Sequence, residues 1–398
     1  MTQVSSVGTY LPCWGSPARR QVGDDEDVLT LAVEAGRAAL EGAAGAERVI
    51  LISRELPLLE GGNSAVLLAG LGLDPELEVS ERLGGAPAAL DALSSARPRT
   101  LVIGADLEPA GAAAVLTSGE GLSVRAATRL TRSLPVRTRD ASGAVHDYGD
   151  PRLLRERGLL ASVAAAGGEK PVAVAGTDRK QALSLCTGTP PELPTLGASA
   201  AFFALAALAD AGITGTLLGT EQASLTGIVV ETGPARVNRR EPPARPVPRG
   251  KYTPGSEIPI SLAAYERAFE AKLRWEAARH PGSDELDFPP RYRVGQDGSL
   301  SSDYELVPLP RTGTVYTGVT VHVPVPGLKT PYSLVIVELD EVGVRALVKV
   351  TGTEPGTVDI GDRGRMVLRR VAVRSGVPDY GYAFEPEGSM RTADKEAA

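Results

Sequence analysis

The stretch Arg279–Ser299, RHPGSDELDFPPRYRVGQDGS, divides the chain. Before it lie a long Ala/Gly/Leu-rich segment and a proline-rich connection, and after it comes a run of alternating strands. Read by itself it is a polar, turn-prone junction with one apolar wedge, Phe288, followed by Pro289 and Pro290. A proline pair has no backbone donors and clashes with a preceding helical turn, so this wedge is not interior helix.

Upstream, strand and helix signals alternate. Val4–Leu11 reads as a strand, and Val28–Leu40 as a helix opened by Asp24, Asp25, Glu26 and Asp27, whose charges suit a helix N-terminus. Arg48–Ser53 is an apolar strand, and Ser64–Leu71 a helix with Asn63 as its cap. Leu77–Val79, Ala86–Ser95 and Thr100–Asp106 continue the alternation, and Ala112–Leu116 reads as a buried strand. The scheme then recurs more briefly, with helices at Leu153–Ala166 and Ser199–Ala211 and strands at Val172–Ala175, Thr216–Gly219 and Leu225–Val230. Leu101–Gly119 and Leu217–Gly233 each read as strand, small-residue turn and strand, which points to duplication. A layered α/β fold with a buried sheet follows over residues 1–235.

Residues 236–259 are rich in proline and arginine and read as an extended linker. Residues 260–279 read as a helix capped by Ser261, with Leu262, Tyr265, Phe269 and Leu273 on one face and Trp275 near its edge. Beyond the junction, strands are expected at Tyr304–Leu309, Thr314–Val323, Ser333–Leu339, Val344–Val350 and Met366–Val373, with Val315, Val319, Val321 and Val323 facing inward. Five short strands over residues 304–375 fit a small OB-type barrel, leaving 376–398 as a tail frayed from Gly388.

The net charge of −7 argues against bulk attraction to nucleic acid. The barrel strands offer only Tyr304, Tyr316 and Tyr332 for stacking bases, so an OB-type nucleic-acid binder is the weakest reading. Two cysteines, Cys13 and Cys186, make no disulfide framework or metal pair, and no apolar run of about twenty residues suggests a membrane span. A cytoplasmic protein is expected. The only histidines are His146, His280 and His322, and the lone strand residue His322 reads as surface.

The junction resembles the zinc-ribbon element of the acyl-CoA-associated zinc-ribbon/OB-fold family, in which two CxxC pairs flank FPPR. Phe288–Arg291 keep the FPPR, Gly298 and Ser299 keep the glycine-serine ending, and TGTVYTGVTVHV, PYSLVIVELD and IGDRGRMVL resemble the OB part. The resemblance places the four metal ligands at His280, Ser283, Val294 and Asp297. Structural zinc takes four N/S ligands, so a metal-free ribbon is expected and no zinc cofactor, with a residual site on His280 and Asp297 as the alternative. In that family the preceding helix lies against the acyl-CoA enzyme, which makes Tyr265, Phe269, Leu273 and Trp275 candidate docking residues.

Residues 1–235 resemble the thiolase superfamily, in its HMG-CoA-synthase and ketoacyl-ACP-synthase III branch. The matching pieces are VGTYLP, GGAPAALDAL, LVIGADL, GAAAVL, DYGDPR and LGASAAFFALAAL, in that order. The resemblance implies a duplicated five-layered fold, a dimer through the central sheet and a cysteine nucleophile at the start of a helix, which the helix dipole activates. In this chain that place falls at Arg82 or, with a one-residue slip, at Leu83, and neither is a nucleophile. No histidine matches the family's proton shuttle.

The chain therefore reads as a non-catalytic acyl-CoA-handling partner of a thiolase-superfamily subunit, in a homo- or heterodimer. Acyl-CoA is its possible ligand, with Arg239, Arg240 and Arg249 as candidate contacts. The alternative is an acyltransferase with Cys186 as a displaced nucleophile. Against it, no cation lies within four residues of Cys186, and its plain reading is a buried thiol ending a helix, as that of Cys13 is packing beside Trp14.

Overall fold

The computed structural model describes residues 1–59, 62–255, 269–294, 297–325 and 327–387. Two compact units account for them. The first comprises Met1–Val22, Leu31–Leu59 and Glu76–Glu241, and the second Gly23–Thr30, Glu60–Pro75 and Pro242–Ala398.

In chain order the elements up to residue 241 are β1 (Thr2–Tyr10), α1 (Val28–Leu40), β2 (Arg48–Ser53), α2 (Asn63–Leu71), β3 (Glu78–Leu83), α3 (Ala86–Ser94), β4 (Thr100–Leu107), β5 (Ala110–Ser118), β6 (Leu122–Leu130), β7 (Ala173–Ala175), α4 (Arg179–Leu185), α5 (Ala198–Ala211), β8 (Gly215–Glu221), β9 (Ser224–Val230) and β10 (Arg236–Arg240). Residues 151–166 are helical throughout, with a π-spaced middle. The strands form one sheet in the order β7-β8-β9-β6-β1-β5-β4-β2-β3, with β10 added in parallel to β1. Its two halves repeat. The run β3-β2-β4-β5-β1 is mirrored by β7-β8-β9-β6, and the second half has no counterpart of β3. Leu101–Gly119 and Leu217–Gly233 are the antiparallel hairpins β4–β5 and β8–β9.

Helices α3 and α5 pack on one another, and each lies on the hairpin of the opposite half, α3 on β8 and β9 and α5 on β4 and β5. Ala86, Ala89, Leu90, Ala198, Ala201, Phe202 and Leu205 are among the core residues they contribute. Two glycines let the helices in. A Cβ at Gly104 would stand 2.7 Å from the Ala198 carbonyl carbon, and one at Gly219 would stand 2.8 Å from that of Ala86.

The fold corrects several expectations in this half. Arg236–Arg240 is not linker: Ser6–Tyr10 pair with it residue by residue. Leu122–Leu130, unread in the sequence because arginines interrupt its apolar face, is the first strand of the second half. The cap of α2 is Gly62 and not Asn63. Helix α1 does open on its acidic group, for Asp27 Oδ1 accepts from the backbone N–H of Leu29 and Thr30.

In the second unit the helix expected over 260–279 ends early. Residues 256–268, including Ser261, Leu262 and Tyr265, lie outside the described residues, and 269–274 are helical. Trp275 has φ of 63°, a left-handed conformation that stops the helix, and the chain continues as β11 (Glu276–Arg279). The ribbon follows as β12 (Leu286–Asp287), β13 (Arg293–Val294) and β14 (Leu300–Ser301). Strand β15 (Glu305–Pro308), expected in the barrel, pairs instead with β11.

The barrel strands are β16 (Thr312–Val321), β17 (Tyr332–Leu339), β18 (Arg345–Lys349), β19 (Arg363–Arg374) and β20 (Val377–Pro386), in the order β18-β17-β16-β19-β20. A bridge between Val350 and Phe384 joins the two ends. The fifth strand therefore comes from the stretch expected as tail. The expected alternation along β16 also fails. A bulge between Val315 and Thr317 resets the parity, so Val315 is buried while Val319 is 59% exposed.

Candidate functional site

The sequence directs attention first to the start of α3. Arg82 and Leu83 end strand β3, Leu83 is 73% exposed, and Arg82 is ion-paired to Asp91 at 2.8 Å. Helix N-termini attract negative charge, because their first N–H groups have no acceptor within the helix. Here a carboxylate from the other half of the repeat answers that demand. Glu221, at the end of β8, accepts from the Gly85 N–H at 2.7 Å and takes the Arg54 guanidinium at 2.7 Å. The fit is close, since a Cβ at Gly85 would stand 2.7 Å from Glu221 Oε1.

The same device recurs at the start of α5. Asp106, near the end of β4, accepts from Ala198 N at 3.0 Å and from Ser199 N at 2.8 Å. Burial pushes the Asp106 carboxyl up from its ordinary range, and the bonds from Ser199 oppose that shift. Gly104-x-Asp106 and Gly219-x-Glu221 are thus equivalent devices in the two halves, each glycine admitting a helix and each acid capping it. The signal was legible in the internal repeat, although the acids escape notice there when the hairpins are compared only by their strands.

Cys186 lies just beyond α4, at 6% exposure. Burial pushes its thiol up to about 11, which leaves little thiolate at neutral pH. His146 sits on an exposed hairpin against Asp140 at 2.8 Å, and His322 is exposed.

The stretch expected as a ribbon is held by charge. Buried Asp287 accepts from Arg291 at 2.8 Å and from Arg293 Nε at 2.8 Å, and His280 Nε2 lies 3.5 Å from the same carboxylate. The Arg293 bond, followed by Arg291, holds the Asp287 carboxyl down at about 2. Of the four expected ligand positions, His280 donates to the Arg291 carbonyl at 3.2 Å, Ser283 accepts from Glu285 N, Val294 is 71% exposed, and Asp297 caps Ser299. These residues do not fit a tetrahedral zinc. One position has no donor atom, and two cations stand beside the only buried carboxylate of the cluster.

The docking residues divide. Leu273 and Trp275 are buried within the second unit, Phe269 is half-buried, and Tyr265 lies outside the described residues. Trp275 is no helix-edge residue: its ring packs on Phe288 and Tyr382 with centroids 4.8 and 4.9 Å away, and Nε1 donates to Pro310 O at 2.9 Å. Of the candidate acyl-CoA arginines, Arg239 is paired with Asp210 and Glu241, and Arg240 with Glu34 and Glu41. Arg249 is exposed. No helix among the described residues is long and apolar enough to cross a membrane.

Residues 306–369 match the family model of the ChsH2 C-terminal OB-fold domain. The chain is 38% identical over 104 residues to the 3-oxo-4,17-pregnadiene-20-carboxyl-CoA hydratase alpha subunit of Mycobacterium tuberculosis, 26% of this chain and 30% of that protein. It is 33% identical over 79 residues to a DUF35 domain-containing scaffold protein of Methanothermobacter thermautotrophicus, 19% of this chain and 59% of that protein. The chain thus spans less than two thirds of either relative. Among solved structures it is similar to AbyA1, a tetronic acid condensing enzyme (16% identity, 58% of this chain and 100% of that one, TM-score 0.46). It is also similar to 3-oxoacyl-[acyl-carrier-protein] synthase III from Aquifex aeolicus (15%, 58% and 100%, TM-score 0.45) and to PksG, an HMG-CoA synthase from Bacillus subtilis (14%, 58% and 80%, TM-score 0.45). A duplicated α/β part and a barrel part, the latter matched over residues 306–369 by an OB-fold family model, are joined in one chain.

Proposed function

We propose that this chain is a non-catalytic partner or scaffold of a thiolase- or HMG-CoA-synthase-type enzyme and helps it handle acyl-CoA. The observation that carries the reading is the Glu221 carboxylate on the Gly85 N–H at the start of α3, beside Arg82 and Leu83. Where the resemblance expects a thiol activated by a helix terminus, the terminus is already capped by an acid, and a second negative centre there is disfavoured. The names of the two curated relatives, a subunit of an acyl-CoA hydratase and a scaffold protein, support the same direction. Association through the central sheet is expected from the resemblance. Strand β3, at the end of the sheet order and paired among the described residues with β2 alone, offers the edge for it. Of the arginines proposed as acyl-CoA contacts, Arg239 and Arg249 are exposed, and Arg239 is already ion-paired with Asp210 and Glu241.

The test is intact-mass analysis of the pure chain after incubation with acetyl-CoA. The expected outcome is unmodified protein. A stoichiometric adduct that maps to Cys186 and disappears in Cys186→Ala would replace this reading with the acyltransferase.

A further inference from the structure

We propose that Arg245 anchors a small oxyanion site in the second unit, and that its ligand is a phosphate group. Arg245 lies in the proline-flanked stretch ahead of the barrel, and its side chain reaches the turn that follows β18. There Nη1 donates to the Gly352 carbonyl at 3.1 Å. The other two nitrogens are placed differently. Nε and Nη2 are buried, and neither has an acceptor among the described residues. Together they form one edge of the guanidinium, whose N–H bonds run side by side toward a pair of oxygen atoms. A guanidinium keeps its charge at any ordinary pH, so such buried donors are costly unless an acceptor meets them.

The surrounding cluster explains why no side chain meets them. Gly352, with φ of 70°, lies against Glu385, for a Cβ there would stand 3.0 Å from Glu385 Oε1. Glu385 is opposite Arg365 in the pairing of β19 with β20, and its Oε2 accepts from Arg365 Nε at 2.7 Å. Its Oε1 faces Arg369 Nη2 at 3.8 Å, and Glu26 faces the same guanidinium at 3.6 Å. Two carboxylates thus serve Arg365 and Arg369, and the third guanidinium, Arg245, is left with a backbone carbonyl alone among the described residues. These five groups carry three positive charges against two negative ones.

An oxyanion answers both demands, the paired donors and the uncancelled charge. A phosphate group offers two oxygens to the fork and brings at least one negative charge. Arg245 as a whole is half-buried, so the fork lies shallow, within reach of a small ion and not of a bulky one. The inference stands apart from the acyl-CoA reading above, because it requires a phosphate group and no thioester.

Equilibrium dialysis of the full chain against radiolabelled inorganic phosphate, with ionic strength held by sodium chloride, tests the assignment. One phosphate per chain is expected. Arg245→Met should weaken its binding at least about tenfold, and Arg245→Lys, which keeps the charge without the paired donors, about as much. Competition names the source: displacement by coenzyme A points to a phosphate carried on a larger molecule, and failure to displace points to the free ion. No saturable binding overturns the proposal. So does binding that both variants retain, which would mark an adventitious ion only. Should Arg245→Met fail to melt cooperatively, the Arg245→Lys isotherm decides it.

Discussion

Single carboxylates hold this chain together at two of the places to which the sequence draws attention. Glu221 is the case at the start of α3, joined to Gly85 N and to Arg54. Glu221→Ala should leave that N–H without an acceptor and Arg54 without its ion pair. Hydrogen bonds to charged groups are worth about 1.5–3 kcal/mol when buried, and partial exposure here lowers the expected loss to about 1–2 kcal/mol. A urea titration reads it, and an unchanged midpoint would show the cap to be incidental. Asp287 plays the matching role in the ribbon. Its folded pKa, about 2, lies below the unfolded value of 3.8, so the cluster contributes its full stability above about pH 4 and loses it as pH falls toward 2. Asp287→Asn should therefore cost about 2–3 kcal/mol at pH 7, with the gap from wild type closing as the solution is acidified to about pH 2. A constant gap across that range would mean that shape, not charge, holds the ribbon.

Elements tell how far the sequence could be read. Buried strands such as β4 and β5 and the apolar helix α5 were legible because nearly every residue in them is buried and their composition says so. Strand β10 was not, since arginines that pair with Glu34, Glu41, Asp210 and Glu241 look in sequence like a solvated linker. The break at Trp275 escaped for another reason. Helical periodicity continues through residues 276–279, and only the tertiary contacts of the indole fix its left-handed backbone. The caps were partly readable: Asp27 was, and Asp106 and Glu221 stand in the repeat as acids two residues after a glycine, but that each caps a helix of the opposite half needs the fold to be seen. Strand β20 is the element that tests this boundary. Its long pairing with β19 and the Val350–Phe384 bridge complete the barrel. A chain ending at residue 375, the limit suggested by the strand pattern, should lose the barrel's cooperative transition, whereas one ending at residue 387 should keep it. Retention of a full barrel transition in the shorter chain, by circular dichroism on heating, would contradict the strand order.

At the level of the whole molecule, sequence order and structural membership part company. The second unit takes in Gly23–Thr30 and Glu60–Pro75, both from the stretch that reads as the first domain. Those segments are bonded into it. Tyr380 Oη donates to Asp27 at 2.6 Å, and Arg369, 2% exposed, faces Glu26 at 3.6 Å. Arg311 donates to Gly70 O at 2.7 Å and Arg274 to Leu73 O at 3.2 Å, satisfying carbonyls at and just beyond the end of α2. Without the acidic loop, buried Arg369 loses one of its carboxylates and Tyr380 its acceptor; losing one partner of a buried charged pair costs about 3–5 kcal/mol. That is a large share of the roughly 5–15 kcal/mol by which domains are stable. A fragment of residues 242–387 should accordingly melt far below the full chain or without a cooperative transition. A separate peptide carrying residues 20–32 should raise its melting temperature in a concentration-dependent way, as a ligand of the folded form does. If the fragment alone unfolds as cooperatively and at the same temperature as the second unit of the intact chain, then the borrowed segments decorate an independent domain and the acidic loop has no part in its stability.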